Sequence, residues 1–262
     1  MRKLIVAGNW KMNKTAVEAV EFVRQTTRTN SAAPKLEYNS GFVSAAESNM
    51  VFELVSAPVK TIATYVEASR QVLSDAPQMR SIVDDELSYD LRVKLEDQIV
   101  NGNGSGANFT GILNTTNVQT RTQAATGDRG GETTDTKADA LRRAITDIRL
   151  AFYEANGVLL NPGDGEDVEL LKDSNGNFLK IYDPVANRLW RVPVIESSVI
   201  AAGTGLVGNF RMGATLYDRQ MTDIRVGEPG STFLQSAVAI LAELRAALAV
   251  KRPTAFEVVT FA

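Results

Sequence analysis

The sequence predicts an α+β fold built from unlike parts, an extended two-stranded arm, one long amphipathic helix and a helix packed on a sheet. Three observations predict it. Across residues 42–58 short apolar patches (Phe42, Val43; Val51, Phe52; Leu54, Val55) alternate with small and polar residues, as in a long hairpin joined by a loose turn. Met79, Ile82, Val83, Leu87, Leu91, Leu95 and Ile99 recur at steps of three and four. A capped helical pattern from Lys137 runs into the apolar triplet Val158-Leu159-Leu160.

Composition narrows the chemistry. The 262 residues carry 28 Lys plus Arg against 31 Asp plus Glu, a net charge of -3, with no Cys and no His. There is no basic excess to drive sequence-independent binding to a phosphate backbone. Without thiols or imidazoles, disulfides, thiolate zinc sites and Ser-His-Asp or Cys-His catalysis are all excluded. An enzyme here is left with carboxylates, Lys, Tyr, hydroxyls or a hard metal held by oxygen. The only apolar stretch near the N-terminus, residues 4–7, is too short for a signal-peptide core, and no run approaches a membrane span. The sequence reads as that of a cytoplasmic chain with no metal and no cofactor.

Along the chain, Val17, Val20, Phe22 and Val23 lead into a polar stretch, residues 24–40, with little to bury. The hairpin that follows cannot be stable alone in water, so it must lie on this subunit or a neighbour. Residues 59–65 alternate like a strand. Ser74-Asp75-Ala76-Pro77 is a helix start, and Asn101-Gly102 a stop, for a helix on the order of 36 Å. Gly102-Asn103-Gly104-Ser105-Gly106 has the glycine density of a phosphate loop, but it follows a helix and lacks the Lys-Ser/Thr, so it reads as a helix-terminating turn. Residues 115–134 read as a polar loop, expected to be mobile.

The second helix is expected over residues 137–156. Thr136 and Asp139 cap it, Leu141, Ile145, Ile148 and Phe152 are its buried face, and Gly157 stops it. A short buried strand then closes at Asn161-Pro162. Asp164, Glu166, Asp167 and Glu169 form an acidic run that reads as solvated, with metal binding the alternative. Asp173-Ser174-Asn175-Gly176-Asn177 reads as a tight turn between Leu171 and Phe178, because a calcium loop would need a differently placed Gly and a closing Glu. In residues 238–250 pattern and propensity disagree: Ala and Leu favour helix, whereas strict alternation puts seven apolar residues on one face and Glu243, Arg245 and Lys251 on the other. A strand is expected, followed by the Arg252-Pro253 turn and a last strand over residues 256–261.

Two resemblances add to this reading. Arg2-Lys3-Leu4-Ile5-Val6-Ala7-Gly8-Asn9-Trp10-Lys11-Met12-Asn13 resembles the start of triosephosphate isomerase, in which Asn9 and Lys11 would line an active site of a β/α barrel. That family also needs a histidine and an Ala-Tyr-Glu-Pro type segment, both missing here, and no eight strand-helix units follow. The isomerase reading is therefore the least favoured.

The second resemblance spans nearly all the rest. Ala19-Val20-Glu21-Phe22-Val23-Arg24, the stretch from Val59-Lys60-Thr61-Ile62-Ala63 to Ser74-Asp75-Ala76-Pro77, Asn101-Gly102-Asn103-Gly104, Gly111-Ile112-Leu113, Leu160-Asn161-Pro162, Leu170-Leu171-Lys172-Asp173, Leu189-Trp190-Arg191-Val192-Pro193-Val194 and Arg252-Pro253-Thr254-Ala255-Phe256 are similar in order and spacing to the major capsid protein of tailed bacteriophages, the Hong Kong 97 type. The resemblance implies a shell subunit. Its parts would be an N-terminal segment (residues 1–23), an extended arm (24–58), a peripheral domain with a spine helix (59–113), an axial domain (114–218), a peripheral return strand (219–248) and a C-terminal axial strand (249–262). It implies assembly with copies of itself into pentamers, hexamers and a closed icosahedral shell around double-stranded DNA, in the virion, after assembly in the host bacterial cytoplasm. Scaffolding, portal and decoration proteins are further implied partners, with non-specific DNA contact and no membrane. An encapsulin-like compartment shell is the alternative.

The resemblance makes Arg24, Arg28, Lys35, Glu47, Glu53, Glu243 and Arg245 candidate inter-subunit contacts. Glu243 and Arg245 would face a ring neighbour, or simply solvent. Some members cross-link an arm Lys to a partner Asn beside a catalytic Glu. Phe42 and Ser236 stand at the first two positions and only Glu243 remains, so that chemistry is expected to be absent. The family usually carries sequence ahead of this region, so a truncated or altered beginning is expected.

Overall fold

The computed structural model describes residues 19–29, 49–71, 77–123, 135–173, 175–179, 181–183, 186–228 and 236–261. Strands β1 (Ala19–Thr29) and β2 (Asn49–Pro58) pair antiparallel as a two-stranded sheet of their own. Their register runs from Ala19 opposite Pro58 to Thr29 opposite Asn49, with a shift between Gln25 and Thr27. The described pairing extends back to Ala19, ahead of residue 24, where the capsid resemblance starts the arm. Backbone pairing continues wherever two strands can exchange hydrogen bonds, whatever their polarity. Its tip, with Lys35, Phe42 and Glu47, lies outside the described residues, as do the isomerase-like segment with Asn9 and Lys11 and the expected cap at residues 74–76.

Strand β3 (Lys60–Ser69) leads to helix α1 (Pro77–Asn101), whose bounds are those the sequence expects. Val83, Leu87, Leu91 and Leu95, spaced by four, form its packed seam, with Leu87 and Leu91 buried. Ile82 fits the periodic pattern but is 59% exposed, because a residue beside the seam points about 100° away from it. After the helix, Gly102 N–H donates to the Gln98 carbonyl (3.2 Å) and Phe109 N–H to Gln98 Oε1 (3.1 Å). A Cβ on Gly102 would lie 2.4 Å from the Phe109 carbonyl oxygen, so glycine is there for close backbone approach and a helix stop.

Next come β4 (Gln119–Thr122), α2 (Lys137–Leu150), β5 (Gly157–Leu160), α3 (Pro162–Glu169), β6 (Tyr182–Asp183), β7 (Arg188–Leu189), β8 (Val192–Glu196), β9 (Thr204–Gly208) and α4 (Phe210–Gly213). Strands β10 (Ala214–Gly227), β11 (Ala237–Val250) and β12 (Phe256–Thr260) complete the fold. Three strands form one sheet, β10-β11-β3, all antiparallel. Seven form another, β4-β12-β9-β5-β8-β7-β6, parallel at β4/β12 and β5/β8. None of the sheets of the described residues is an eight-stranded parallel barrel, in line with the isomerase reading being the least favoured.

The capping box is present: Asp139 N–H donates to Thr136 Oγ1 and Thr136 N–H to Asp139 Oδ2. The helix stops at Leu150, short of the expected residue 156. Phe152, expected inside, is 87% exposed with φ 65°, and Gly157 opens β5 instead of ending the helix. Phe152 N–H donates to the Arg149 carbonyl and Tyr153 N–H to that of Ile148, a Schellman-type stop with Phe in glycine's usual place. Two of the polar stretches also differ from expectation. Gln119–Thr122, inside the expected loop, is an edge strand, and Asn161 caps α3 through Gly163 N–H. The Asp173 turn holds as expected, its carboxylate accepting from Asn175 N–H and Asn177 N–H and pulled below the usual range by the Asn177 bonds first.

The seven-stranded sheet is buried on both faces. Val158, Leu160, Val207 and Val259 pack with Leu141, Ile145 and Ile148 of α2. Leu159, Leu206 and Phe256, on the opposite face, join Leu87 and Leu91 of α1 and Ile240, Leu244 and Leu248 of β11. Alternate residues of one strand therefore feed two cores, which is why β5 reads as a continuous apolar run and not as an alternation. Each such side chain contributes about 1.5–3 kcal/mol of burial.

Strand β11 resolves the conflict between pattern and propensity in favour of pattern. Ile240, Ala242, Leu244, Ala246, Leu248 and Val250 face α1, as the alternation requires. The other face is not simply solvated, since Ala249 packs with Ala57 and Tyr217 where the arm meets the body. Strand β10 continues past residue 219, with register shifts against β11 between Asp218 and Gln220 and between Gln220 and Asp223, and β11 continues across residue 249.

Candidate assembly surfaces

The sequence-derived contact residues fall in two places. Arg24 and Glu53 are register partners across β1 and β2, and Arg28 stands opposite Met50. The arm therefore sets positions of opposite sign side by side. Its observed packing is at the base, Ala57 against Ala249 and Tyr217. Lys35 and Glu47 lie outside the described residues.

Glu243 and Arg245 lie half-buried in the middle of β11, between β10 and β3. Their register partners are Asp223 and Gln220 on one side and Ala63 and Thr61 on the other. Asp223 and Glu243 are thus two carboxylates directly opposed, a repulsive cross-strand pair. Arg225 relieves it, with its guanidinium 2.7 Å from Asp223 Oδ2 and 3.2 Å from Glu243 Oε1. Its hydrogen bond to Asp223, then the charges of Asp223 and Glu243, hold its pKa above the ordinary value. Sequence spacing gives no hint of Arg225 or Asp223, because the register joining them to Glu243 is fixed only by long-range pairing.

The acidic run is exposed as expected at Glu166, Asp167 and Glu169 and departs from that state at one residue. Asp164 is buried; its Oδ1 accepts from Lys137 Nζ (2.6 Å) and its Oδ2 from Gly203 N–H (2.8 Å). Lys137 also donates to Asp167 (2.6 Å). Burial pulls the Lys137 ammonium down, but the two carboxylates prevail and hold its pKa up. This cluster fastens α2 to α3 and the turn before β9. Among the described residues no group of three or more acidic side chains converges as a metal site.

Large apolar side chains remain uncovered on both halves. Tyr65 of β3 and Tyr89 of α1 are more than three-fifths exposed, and Phe152 still more so. Phe152 also holds a left-handed backbone that an aromatic residue rarely adopts. A separate groove between β3 and α1 is lined by Ile62, Thr64, Leu91, Val93 and Val199. Such surfaces mark contact sites more often than plain solvent faces. No helix among the described residues is long and apolar enough to cross a membrane.

Comparison with known proteins agrees with this geometry. Residues 4–261 match the model of the phage capsid family. The major capsid protein of Enterobacteria phage HK97 is 36% identical over 265 residues, covering all of this chain and 66% of that protein. The chain thus spans about two thirds of the length of that curated relative. Among solved structures, the capsid of an empty GTA particle superposes with a TM-score of 0.71 at 19% identity, covering 94% of this chain and 86% of that one. A chain from Mycobacterium phage Adephagia gives 0.70 at 12% identity, covering 95% and 86%. The fold is that of the Hong Kong 97-type capsids, and the curated relative is a phage major capsid protein. The chain belongs to the phage capsid family.

Proposed function

We propose that the chain is the shell-forming subunit of a tailed-phage head, assembling with copies of itself into pentamers and hexamers that close around double-stranded DNA. The observation that carries this is the β1–β2 hairpin, a two-stranded sheet whose observed packing on the body is at its base. A hairpin of that kind is marginal alone and gains its stability by lying across a neighbour. Many weak contacts per subunit then sum to a stable closed particle.

In this reading residues 24–58 are the arm, the β10-β11-β3 sheet with α1 is the peripheral domain, and the seven-stranded sheet with α2 and α3 is the axial domain. Arg24, Arg28, Lys35, Glu47, Glu53, Glu243 and Arg245 meet neighbouring subunits. Scaffolding, portal and decoration proteins and non-specific DNA contacts complete the virion, built in the host cytoplasm. The subunit is structural and does no chemistry, since Phe42 supplies no amine and Ser236 no side-chain amide for an isopeptide bond.

Electron microscopy and light scattering of the purified chain at physiological salt test the proposal. Closed shells with five- and six-fold capsomers are expected, running as single chains after boiling in denaturant. Monomers or dimers alone would contradict the shell, and ladders of covalent oligomers would contradict the absence of cross-linking.

A further inference from the structure

Asn-Gly is the dipeptide in which a side-chain amide and the following backbone nitrogen react most readily, because glycine has no Cβ to hinder their approach. The chain holds four: Asn101-Gly102, Asn103-Gly104, Asn156-Gly157 and Asn175-Gly176. As dipeptides they are equal. The fold separates them.

Three have their amides tied down. Asn101 ends α1 with Nδ2 donating to Asp97 Oδ1 (2.9 Å) and to the Val199 carbonyl (2.8 Å), and Gly102 is buried with its N–H on the Gln98 carbonyl. Asn103 Oδ1 accepts from Ser105 N–H (3.0 Å) and Asn108 Nδ2 (2.9 Å), while Gly104 N–H donates to the Phe109 carbonyl at 2.7 Å. Asn156 Oδ1 accepts from Phe210 N–H (2.9 Å), and Gly157 is buried at the start of β5. Reaction at any of these requires the amide to leave its partners and swing onto the next nitrogen.

Asn175 and Gly176 are both exposed, in the turn between Leu171 and Phe178. The Asn175 backbone N–H donates to Asp173 Oδ1, but its side-chain amide has no hydrogen bond among the described residues. Gly176 N–H donates to the Asp173 carbonyl (3.0 Å), a bond inside the turn itself, and nothing lies within 4 Å of where a Cβ would stand. An exposed turn opens at far lower cost than a helix end or strand packed on the body.

We propose that Asn175 is a self-modification site, at which the folded chain converts its own amide to a carboxylate through the Gly176 nitrogen. That nitrogen gives its proton to hydroxide and bonds to Asn175 Cγ; the Cγ–Nδ2 bond breaks, and Nδ2 takes a proton from water and leaves as ammonia. Water then opens the cyclic imide, at Cγ to give aspartate or at the backbone carbonyl to give isoaspartate. No oxidant, reductant or cofactor enters the balance.

Either product places a second negative charge beside Asp173. Isoaspartate also adds a carbon to the main chain, inside a turn that Asp173 closes by accepting from Asn175 N–H, Asn177 N–H and Asn177 Nδ2. The turn and the Lys172–Phe178 bridge at its base therefore loosen on conversion.

Incubation of the purified full chain at mildly alkaline pH tests this, with amide loss read by peptide mass spectrometry and isoaspartate by enzymatic methylation. In the folded chain Asn175 should lose its amide about tenfold faster or more than Asn101, Asn103 or Asn156, a gap within the range of local opening energies. In denaturant the four rates should converge. Asn175→Gln, whose longer side chain would have to close a larger ring, should abolish the reaction at this position and leave the other three unchanged. An Asn175 as slow as the other three in the folded chain would overturn the proposal. So would the same ranking in denaturant, because the fold would then not be what selects Asn175.

Discussion

The axial sheet and the arm are both β-structure, yet they are stabilised in opposite ways. In the axial sheet, strands as short as β5 are secure because Val158, Leu159 and Leu160 each enter a core, with α2 on one side and α1 and β11 on the other. In the arm, β1 and β2 are twice as long or more and, among the described residues, pair only with each other. Strand length therefore says little about stability here; the number of covered faces decides it. On the proposed shell reading, the body holds its fold alone and the arm is completed by a surface that another subunit supplies.

The sharpest way to break this contrast is to remove the arm. Joining Val20 directly to its register partner Ala57 through an Asn-Gly turn keeps the packed base and deletes the rest. Shell formation should be abolished, while the melting temperature of the free chain moves by only a few degrees, a small change on the usual scale. Unfolding of the truncated chain would mean that the arm is core structure.

The opposite region should respond in the opposite sense. Phe256 is fully buried and meets Phe210 edge to face at 5.3 Å, with Gly208 and Gly213 giving it room. Phe256→Ala should cost about 3–5 kcal/mol in denaturant titration, enough to unfold a marginal subunit before assembly begins.

Phe152 separates the two requirements within one residue. Phe152→Gly relieves the left-handed strain at a side chain that is almost fully exposed, so the free chain should gain up to about 1 kcal/mol. If the ring meets a neighbour, as the shell reading has it, assembly yield should fall even as stability rises. An equal yield would place Phe152 outside any interface.

The smallest effect belongs to the β10–β11 charge pair. Arg225→Ala leaves Asp223 facing Glu243, and a slight loss of thermal stability at low salt should disappear as salt is added. A loss independent of salt would point to packing in place of repulsion.

What was legible in the sequence follows the same division. The ends of α1, the Thr136–Asp139 capping box, the Asp173 turn and the strand over β11 were all readable, because each rests on local spacing or on one well-buried face. Strands β1, β4 and β10 were not, because their polar, two-sided sequences are held by pairing with distant partners and carry no burial signature of their own. The end of α2 was misplaced because a Phe in the left-handed position disguised a stop that glycine normally announces. Of the candidate contacts, Glu243 stood out by breaking an apolar alternation. Arg225 and Asp223 were invisible, since only the folded register brings them to Glu243.

In the proposed shell the body is complete by itself and the arm is completed by assembly. Amide exchange of β1 and β2, measured on closed particles and on dissociated subunits with β5 and β9 as internal references, tests it most directly. The account expects β5 and β9 to be protected in both states and the arm to gain strong protection only in particles. Equal protection of the arm in free subunits would show that it needs no neighbour, and would contradict the claim.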